Sequence, residues 1–87
     1  MHETPYIRLR VLLFSVLRER IGQHELEITL PAPATGDHLL DYLAQQYPVI
    51  ADYRSVIRLA VNQTYVPTST ELHEKDEIAL ITPVSGG

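Results

Sequence analysis

The first regular feature of the chain is an alternation of apolar and polar residues that begins at residue 7 and holds to residue 11, followed by the apolar residues Leu12 and Leu13. Successive side chains of a strand point to opposite faces, so this alternation predicts a strand with one apolar face. That face contains Ile7, Leu9, Val11 and Leu13. The opposite face changes from arginine to apolar residues and ends at Phe14. Residues 25–30 alternate in the same way, and the short gap between the two segments predicts an antiparallel pair.

Two segments have helical rather than alternating spacing. Residues 15–21 lose the alternation and stop at Gly22, which predicts a helical turn closed by a C-terminal glycine. Residues 39–47 carry apolar side chains at helical intervals. Thr35 is the predicted N-cap of this helix and Pro48 its predicted end.

The second half of the chain predicts three more strands. Residues 56–61 form a predicted buried strand, residues 64–66 a short strand after a tight turn, and residues 77–81 the last strand. One main helix would then cover one face of a mixed sheet, which is an α+β arrangement in two layers. If the first and last strands lie side by side at the centre, the fold is the ubiquitin-like β-grasp.

Composition narrows the classes of function. The 87 residues predict one domain, residues 1–87, with a flexible tail from about residue 82 to residue 87. The net charge of −4 and the single lysine argue against nucleic-acid binding, which needs a basic patch. No apolar run approaches the roughly 20 residues that span a bilayer, so no membrane association is expected. The absence of cysteine agrees with a cytoplasmic location.

The chain lacks the residue patterns of an enzyme that acts alone. Its four histidines have no metal-ligand spacing, and no cysteine joins them, so no metal site is expected. No nucleophile motif and no phosphate-binding glycine loop is present. The acidic residues between positions 71 and 77 form either a solvated surface or a contact for a basic partner.

The most informative residues are Gly86 and Gly87, which are two of only four glycines. Without Cβ atoms, an extended diglycine fits a slot too narrow for other residues. Its carboxylate is ionised at neutral pH and is a poor electrophile until another protein activates it, for example as an acyl-adenylate. The alternative is an incidental flexible tail. Pro83 ends regular structure and stiffens the start of this segment.

Three large apolar residues do not belong to the predicted core face of the strands. Phe14 and Ile81 alternate out of step with the core positions, and Tyr65 lies in the short strand. Together they predict an exposed apolar patch beside the tail, which would be a docking site for a protein. Alternatively, the segment Ser15–Ile21 folds over them and makes a minor core.

Several segments resemble one known family. They read A-V-N-Q-T-Y-V at residues 60–66, D-E-I-A at residues 76–79 and P-V-S-G-G at residues 83–87. The chain resembles the small subunits of molybdopterin synthase, the MoaD sulfur carriers, over nearly its whole length after Pro5. Within this resemblance, Ile81 stands where relatives can carry an aromatic residue, and Thr82 stands where relatives have proline.

The resemblance implies a mechanism centred on Gly87. An E1-like adenylating enzyme would use ATP to activate its carboxylate, and sulfur from a persulfide would convert it to a thiocarboxylate. The large subunit would dock on Phe14, Tyr65 and Ile81. The tail of this chain would enter the active site of the large subunit. This tail comprises Pro83, Val84, Ser85, Gly86 and Gly87. Sulfur would pass there to cyclic pyranopterin monophosphate and form the molybdopterin dithiolene.

The same resemblance implies a heterotetramer with a dimeric large subunit and no permanently bound cofactor. Three alternatives use the same tail differently. They are a sulfur carrier for another pathway such as thiamine synthesis, a ubiquitin-like modifier conjugated through Gly87, and a β-grasp interaction module whose tail is incidental.

Overall fold

The computed structural model describes residues 5–83. In chain order the elements are β1 (Tyr6–Leu13), α1 (Ser15–Ile21), β2 (Glu25–Pro31), β3 (Ala34–Thr35), α2 (Gly36–Gln46), α3 (Pro48–Tyr53), β4 (Arg58–Val61), β5 (Thr64–Val66), β6 (Glu71–Leu72) and β7 (Glu77–Ile81). Gly22 ends α1 in the left-handed conformation, with φ of 83°, as predicted for a glycine at this position.

The main sheet has five strands in the order β2-β1-β7-β4-β5. The first and last strands of the chain, β1 and β7, are parallel neighbours at its centre. The other neighbouring pairs are antiparallel. This topology confirms the predicted ubiquitin-like β-grasp, and it brings the end of β7 to the middle of the sheet.

The hydrophobic core lies between the helices and one face of the sheet. The alternate residues of β1, β2 and β7 that were expected to point inward are all buried. They pack with Leu39, Leu40 and Leu43 of α2 and with Ile50 of α3. Within the described part of the chain, the helices contribute to this one core and no helix packs on the opposite face of the sheet, which is therefore open.

Four hydrogen bonds satisfy the backbone N–H groups of residues 35–38 at the start of α2. The predicted N-cap Thr35 accepts a bond from the backbone N–H of His38, whose Nδ1 accepts from the backbone N–H of Thr35 at 3.0 Å. The backbone N–H groups of Gly36 and Asp37 donate to the carbonyls of Thr70 and Thr68. The loop after β5 therefore provides acceptors that a helix N-terminus otherwise lacks.

Sequence pattern did not predict three features of the middle of the chain. Pro48 ends α2 as expected, but it also begins α3, because proline is favoured in the first turn of a helix. Strands β3 and β6, of two residues each, form a separate small sheet. The strand predicted from residue 56 begins at Arg58, and Val56 is 46% exposed.

Two negative findings concern the described residues only. Between residues 5 and 83, no helix is long and apolar enough to cross a membrane. Over the same residues, no group of three or more His, Cys, Asp or Glu side chains is placed to hold a metal ion.

Candidate functional site

One row of apolar side chains crosses the open face of the sheet. Leu12 of β1 lies opposite Ala79 of β7, Ala79 lies opposite Ala60 of β4, and Ala60 lies opposite Tyr65 of β5. Residues in register on neighbouring strands point to the same side of a sheet. The row therefore runs over four adjacent strands, and its two alanines leave space between the larger residues at its ends.

Phe14 and Ile81 complete this surface beside the row. Phe14 follows β1 with extended backbone angles, φ −132° and ψ 159°, so the strand alternation continues through it. A depression of about 340 Å³ is lined by Phe14, Ile81 and the row, with Gln63 and Glu77 at its edge. We call Phe14, Tyr65, Ile81, Leu12, Ala60 and Ala79 the apolar patch. The structure thus brings the three predicted docking residues together around one concave surface.

Helix α1 does not cover the apolar patch. Leu17 of α1 is fully buried in the main core, on the other side of the sheet. Phe14 is 41% exposed and Tyr65 is 59% exposed. Of the two arrangements that the sequence allowed, the structure has the exposed patch and not the minor core.

The other end of the open face is charged. Arg10 of β1 bridges Glu25 at 2.9 Å and Glu77 at 3.2 Å, which joins three strands. Arg8 pairs with Glu74 at 3.1 Å, and its backbone N–H also donates to Glu74 Oε1 at 2.6 Å. That backbone hydrogen bond is the main reason why the pKa of Glu74 lies below its ordinary value. The acidic residues of this region therefore pair within the chain.

The A-V-N-Q-T segment has a structural explanation. Asn62 and Gln63 have φ of 50° and 72°, as a two-residue hairpin turn of type I′ requires. The Asn62 side chain donates to Asp76 Oδ1 at 3.0 Å and accepts from the Glu77 backbone N–H at 3.1 Å. This asparagine therefore joins two turns at the end of the sheet where β7 begins. The D-E pair at residues 76–77 is its partner.

The tail leaves from the opposite end of β7, beside the apolar patch. Ile81 is the last residue of β7 and lies opposite Arg58 of β4. Thr82 is buried and Pro83 is exposed. The remaining predicted site residues lie outside the described residues; they are Val84, Ser85, Gly86 and Gly87.

Sequence reasoning missed two residues that matter here. Arg58 lies with its guanidinium carbon 5.4 Å from the centre of the Tyr65 ring. The sequence contained a signal for Arg58. It lies two residues before Ala60 on the same strand, and this spacing places both side chains on one face of the sheet. Gly36 had no signal, because its need for glycine arises from contact with a distant loop.

Comparison with known proteins gives consistent results. A family model described as the ThiS family matches residues 11–87. The molybdopterin synthase sulfur carrier subunit of Arabidopsis thaliana is 35% identical over 98% of this chain and 88% of its own length. The protein of the same name from Dictyostelium discoideum is 39% identical over 92% of this chain and 96% of its own.

Solved structures agree on the fold. A putative molybdopterin converting factor subunit 1 from Pyrococcus furiosus has a TM-score of 0.79 and 26% identity, and covers 90% of this chain and 99% of its own. The small archaeal modifier protein 1 from Methanosarcina acetivorans has a TM-score of 0.77 and 26% identity, with 95% and 99% covered. A complex of subunits 1 and 2 of the molybdopterin-converting factor from Helicobacter pylori matches at a TM-score of 0.67 and 22% identity, with 93% and 100% covered.

The family match covers most of the chain, and the relatives align with it nearly from end to end. The β-grasp topology of this chain, with β7 at the centre of the sheet, agrees with the fold of the similar solved structures. This chain belongs to the ThiS family, and its curated relatives are the sulfur carrier subunits of molybdopterin synthase.

Proposed function

We propose that this chain is the sulfur carrier subunit of a molybdopterin synthase and that Gly87 carries the sulfur. The single observation that carries the proposal is its nearly full-length similarity to proteins of that name. The geometry adds that the chain leaves the sheet at Ile81, beside the apolar patch. A partner docked on the patch would therefore lie where the tail starts.

The proposed chemistry takes place on the main-chain carboxylate of Gly87. An E1-like enzyme transfers AMP from ATP to this carboxylate and releases pyrophosphate. The terminal sulfur of a persulfide displaces AMP and forms an acyl disulfide. A thiol then attacks the sulfur of that disulfide that belongs to the sulfur donor, which releases the Gly87 thiocarboxylate and leaves a mixed disulfide on the donor. Sulfur then passes to cyclic pyranopterin monophosphate in the active site of the large subunit. This chain supplies no resident cofactor and no side-chain nucleophile in the proposal.

The partners follow from this chemistry. The large subunit would cover the apolar patch. In the Helicobacter pylori protein of the same fold, subunit 1 of the molybdopterin-converting factor forms a complex with subunit 2. A dimeric large subunit with two carriers gives a heterotetramer. We expect the reaction to take place in the cytoplasm, where ATP and thiol reductants are available and disulfides do not persist. Glycines at residues 86 and 87 suit entry into a narrow active site.

The decisive experiment is intact-mass spectrometry of the chain after incubation with its adenylating enzyme, ATP and a sulfur source. We expect a gain equal to the exchange of one oxygen for sulfur, localised by fragmentation to Gly87. Deletion of Gly87 should abolish sulfur transfer and leave the melting temperature unchanged, since the residue follows the last strand. Retained transfer by the deletion variant would contradict the proposal.

A second candidate function is conjugation to other proteins through Gly87. The structural similarity to small archaeal modifier protein 1 favours it. It predicts a ladder of heavier species in cells that express the tagged chain, and this ladder should collapse on treatment with an isopeptidase. Formation of the thiocarboxylate at Gly87 without any ladder of heavier species supports the sulfur-carrier function and argues against conjugation.

A further inference from the structure

Arg58 lies at the edge of the apolar patch where the chain leaves the sheet. Arg58, the first residue of β4, lies directly opposite Ile81 and two residues before Ala60. It therefore belongs to the open face of the sheet, at the end of β7 from which the tail departs. Its side chain is exposed.

Arg58 stacks on Tyr65 at the rim of the patch and is not itself a lining residue of the depression. The guanidinium carbon of Arg58 lies 5.4 Å from the centre of the Tyr65 ring. A guanidinium within about 6 Å of an aromatic ring is attracted to the electron-rich face of that ring. The stacking restricts the conformations of the long Arg58 side chain before binding. Less conformational entropy is therefore lost when a partner binds to this side chain.

Arg58 also differs in charge balance from the other arginines of the open face. Arg8 is paired with Glu74, and Arg10 is paired with Glu25 and Glu77. Within the described part of the chain, no carboxylate lies within ion-pair distance of Arg58. Its donors are available next to a surface that a docked protein would shield from water, where a charge pair is strengthened.

We propose that Arg58 determines which partner the apolar patch accepts. Its guanidinium pairs with an aspartate or glutamate of the large subunit, placed beside the apolar side chain that fills the depression. The inference rests on the proposed function, because it names the large subunit as the occupant. The planar fork of arginine matches a carboxylate with two parallel hydrogen bonds, and the positive charge rejects a partner that presents lysine or arginine there.

The test measures binding of the full chain to the large subunit from the same organism, at several salt concentrations. The variants are Arg58→Gln, Arg58→Lys and Arg58→Glu. The matched control is Lys75→Gln, which removes the same charge from an exposed residue at the opposite end of the sheet. We expect Arg58→Gln to raise Kd about tenfold or more and to flatten its salt dependence. Arg58→Lys should restore little, and Arg58→Glu should weaken binding furthest.

A second arm separates the stacking from the charge. Tyr65→Leu keeps an apolar side chain but removes the ring. In a double-mutant cycle, the effects of Tyr65→Leu and Arg58→Gln should sum to more than the effect of the double variant, because each disturbs the same stacked pair. Unchanged melting temperatures would show that the exposed substitutions leave the fold intact.

The outcomes are distinguishable. If the wild-type chain binds the large subunit and Arg58→Gln binds as tightly as Lys75→Gln, the role of Arg58 is wrong and the proposed function stands. If the wild-type chain does not bind but still gains sulfur at Gly87, the chosen partner is wrong and both inferences about the large subunit fail. Selective loss in the Arg58 variants, with normal sulfur loading at Gly87, supports the proposal.

Discussion

At the residue scale, Gly36 shows how strongly the fold depends on a contact with no local signal. A Cβ atom at this position would lie 2.5 Å from Leu59 Cδ2 and 2.7 Å from the carbonyl oxygen of Thr68. Both distances are shorter than a van der Waals contact, and the carbonyl belongs to backbone that holds the start of α2. The first turn of α2 therefore packs against β4 and the loop after β5 only when residue 36 lacks a side chain.

We expect Gly36→Ala to lower the free energy of unfolding by about 2–3 kcal/mol, because the helix and the loop must move apart. Urea denaturation at neutral pH measures the change. Gly22→Ala is the matched comparison. Its Cβ would meet nothing within 4 Å, so only the left-handed backbone, with φ of +83°, opposes it. That variant should lose about 1 kcal/mol of stability. Equal losses in the two variants would contradict the steric explanation.

Glu74 gives the fold a dependence on pH. Its pKa is lowered mainly by the hydrogen bond from the Arg8 backbone N–H, with a further contribution from the Arg8 guanidinium. A carboxyl with a lowered pKa in the folded state stabilises the fold above its unfolded pKa, near 4.5. This stability is lost as the pH falls through the lowered folded value.

We therefore expect Glu74→Gln to be less stable than the wild-type chain at pH 6 to 7, and the difference to shrink as the pH falls below about 4. Denaturant titrations of both proteins over this range measure it, and the comparison removes the effect of other carboxyl groups. A difference that stays constant down to pH 2 would show that the carboxylate charge is not involved.

At the element scale, α2 illustrates how a helix start combines local and distant groups. Thr35 and His38 exchange hydrogen bonds in a capping box, which the sequence predicts only in its threonine half. Histidine is unusual at the third helical position, where glutamate or glutamine is common. The acceptors for the next two N–H groups come from the loop at residues 68 and 70.

We expect Thr35→Ala to cost about 1 kcal/mol and His38→Ala a smaller amount, since each removes one side of the capping box. His38→Gln should recover stability, because its amide oxygen can accept the Thr35 N–H as the imidazole does. Thermal unfolding of the three variants gives the order. If His38→Gln were no more stable than His38→Ala, the hydrogen bond to Nδ1 would have no energetic role.

At the scale of the whole molecule, the β-grasp topology separates structural and docking surfaces. One face of the sheet packs on the helices, and the other is charged at the start of β7 and apolar at its end. The charged end is neutralised by its own ion pairs. Among residues 5–83, no ion pair and no helix covers the apolar end, and β7 ends beside it.

Tyr65 and Tyr6 provide a matched pair for testing this division. They are 59% and 61% exposed on strands of the same sheet, but only Tyr65 lines the depression. We expect Tyr65→Ser to weaken binding of the large subunit about tenfold or more, because an aromatic residue at the centre of an interface contributes strongly. Tyr6→Ser should leave binding unchanged. Calorimetric titration measures both, and equal effects would contradict docking at the patch.

Much of the fold follows from local pattern. The alternation of apolar and polar residues in β1 and β2 indicates which side chains are buried. Thr35, Gly22 and Pro48 mark helix boundaries by their own conformational preferences. The two-residue strands β3 and β6 and the short helix α3 escaped prediction, because elements of this length have too few residues to show a period. They form because neighbouring segments supply hydrogen bonds and buried surface.

The sequence by itself determined the fold class, the buried face of each long strand and the candidate tail at Gly86 and Gly87. It could not decide whether α1 covers Phe14, because that depends on the direction the chain takes after the strand. Only the tertiary structure placed Arg58 beside Ile81 and Tyr65, and only it showed that Asn62 bonds to the turn at Asp76. The physical reason is that strand register joins residues far apart in the chain, and no local preference encodes that register.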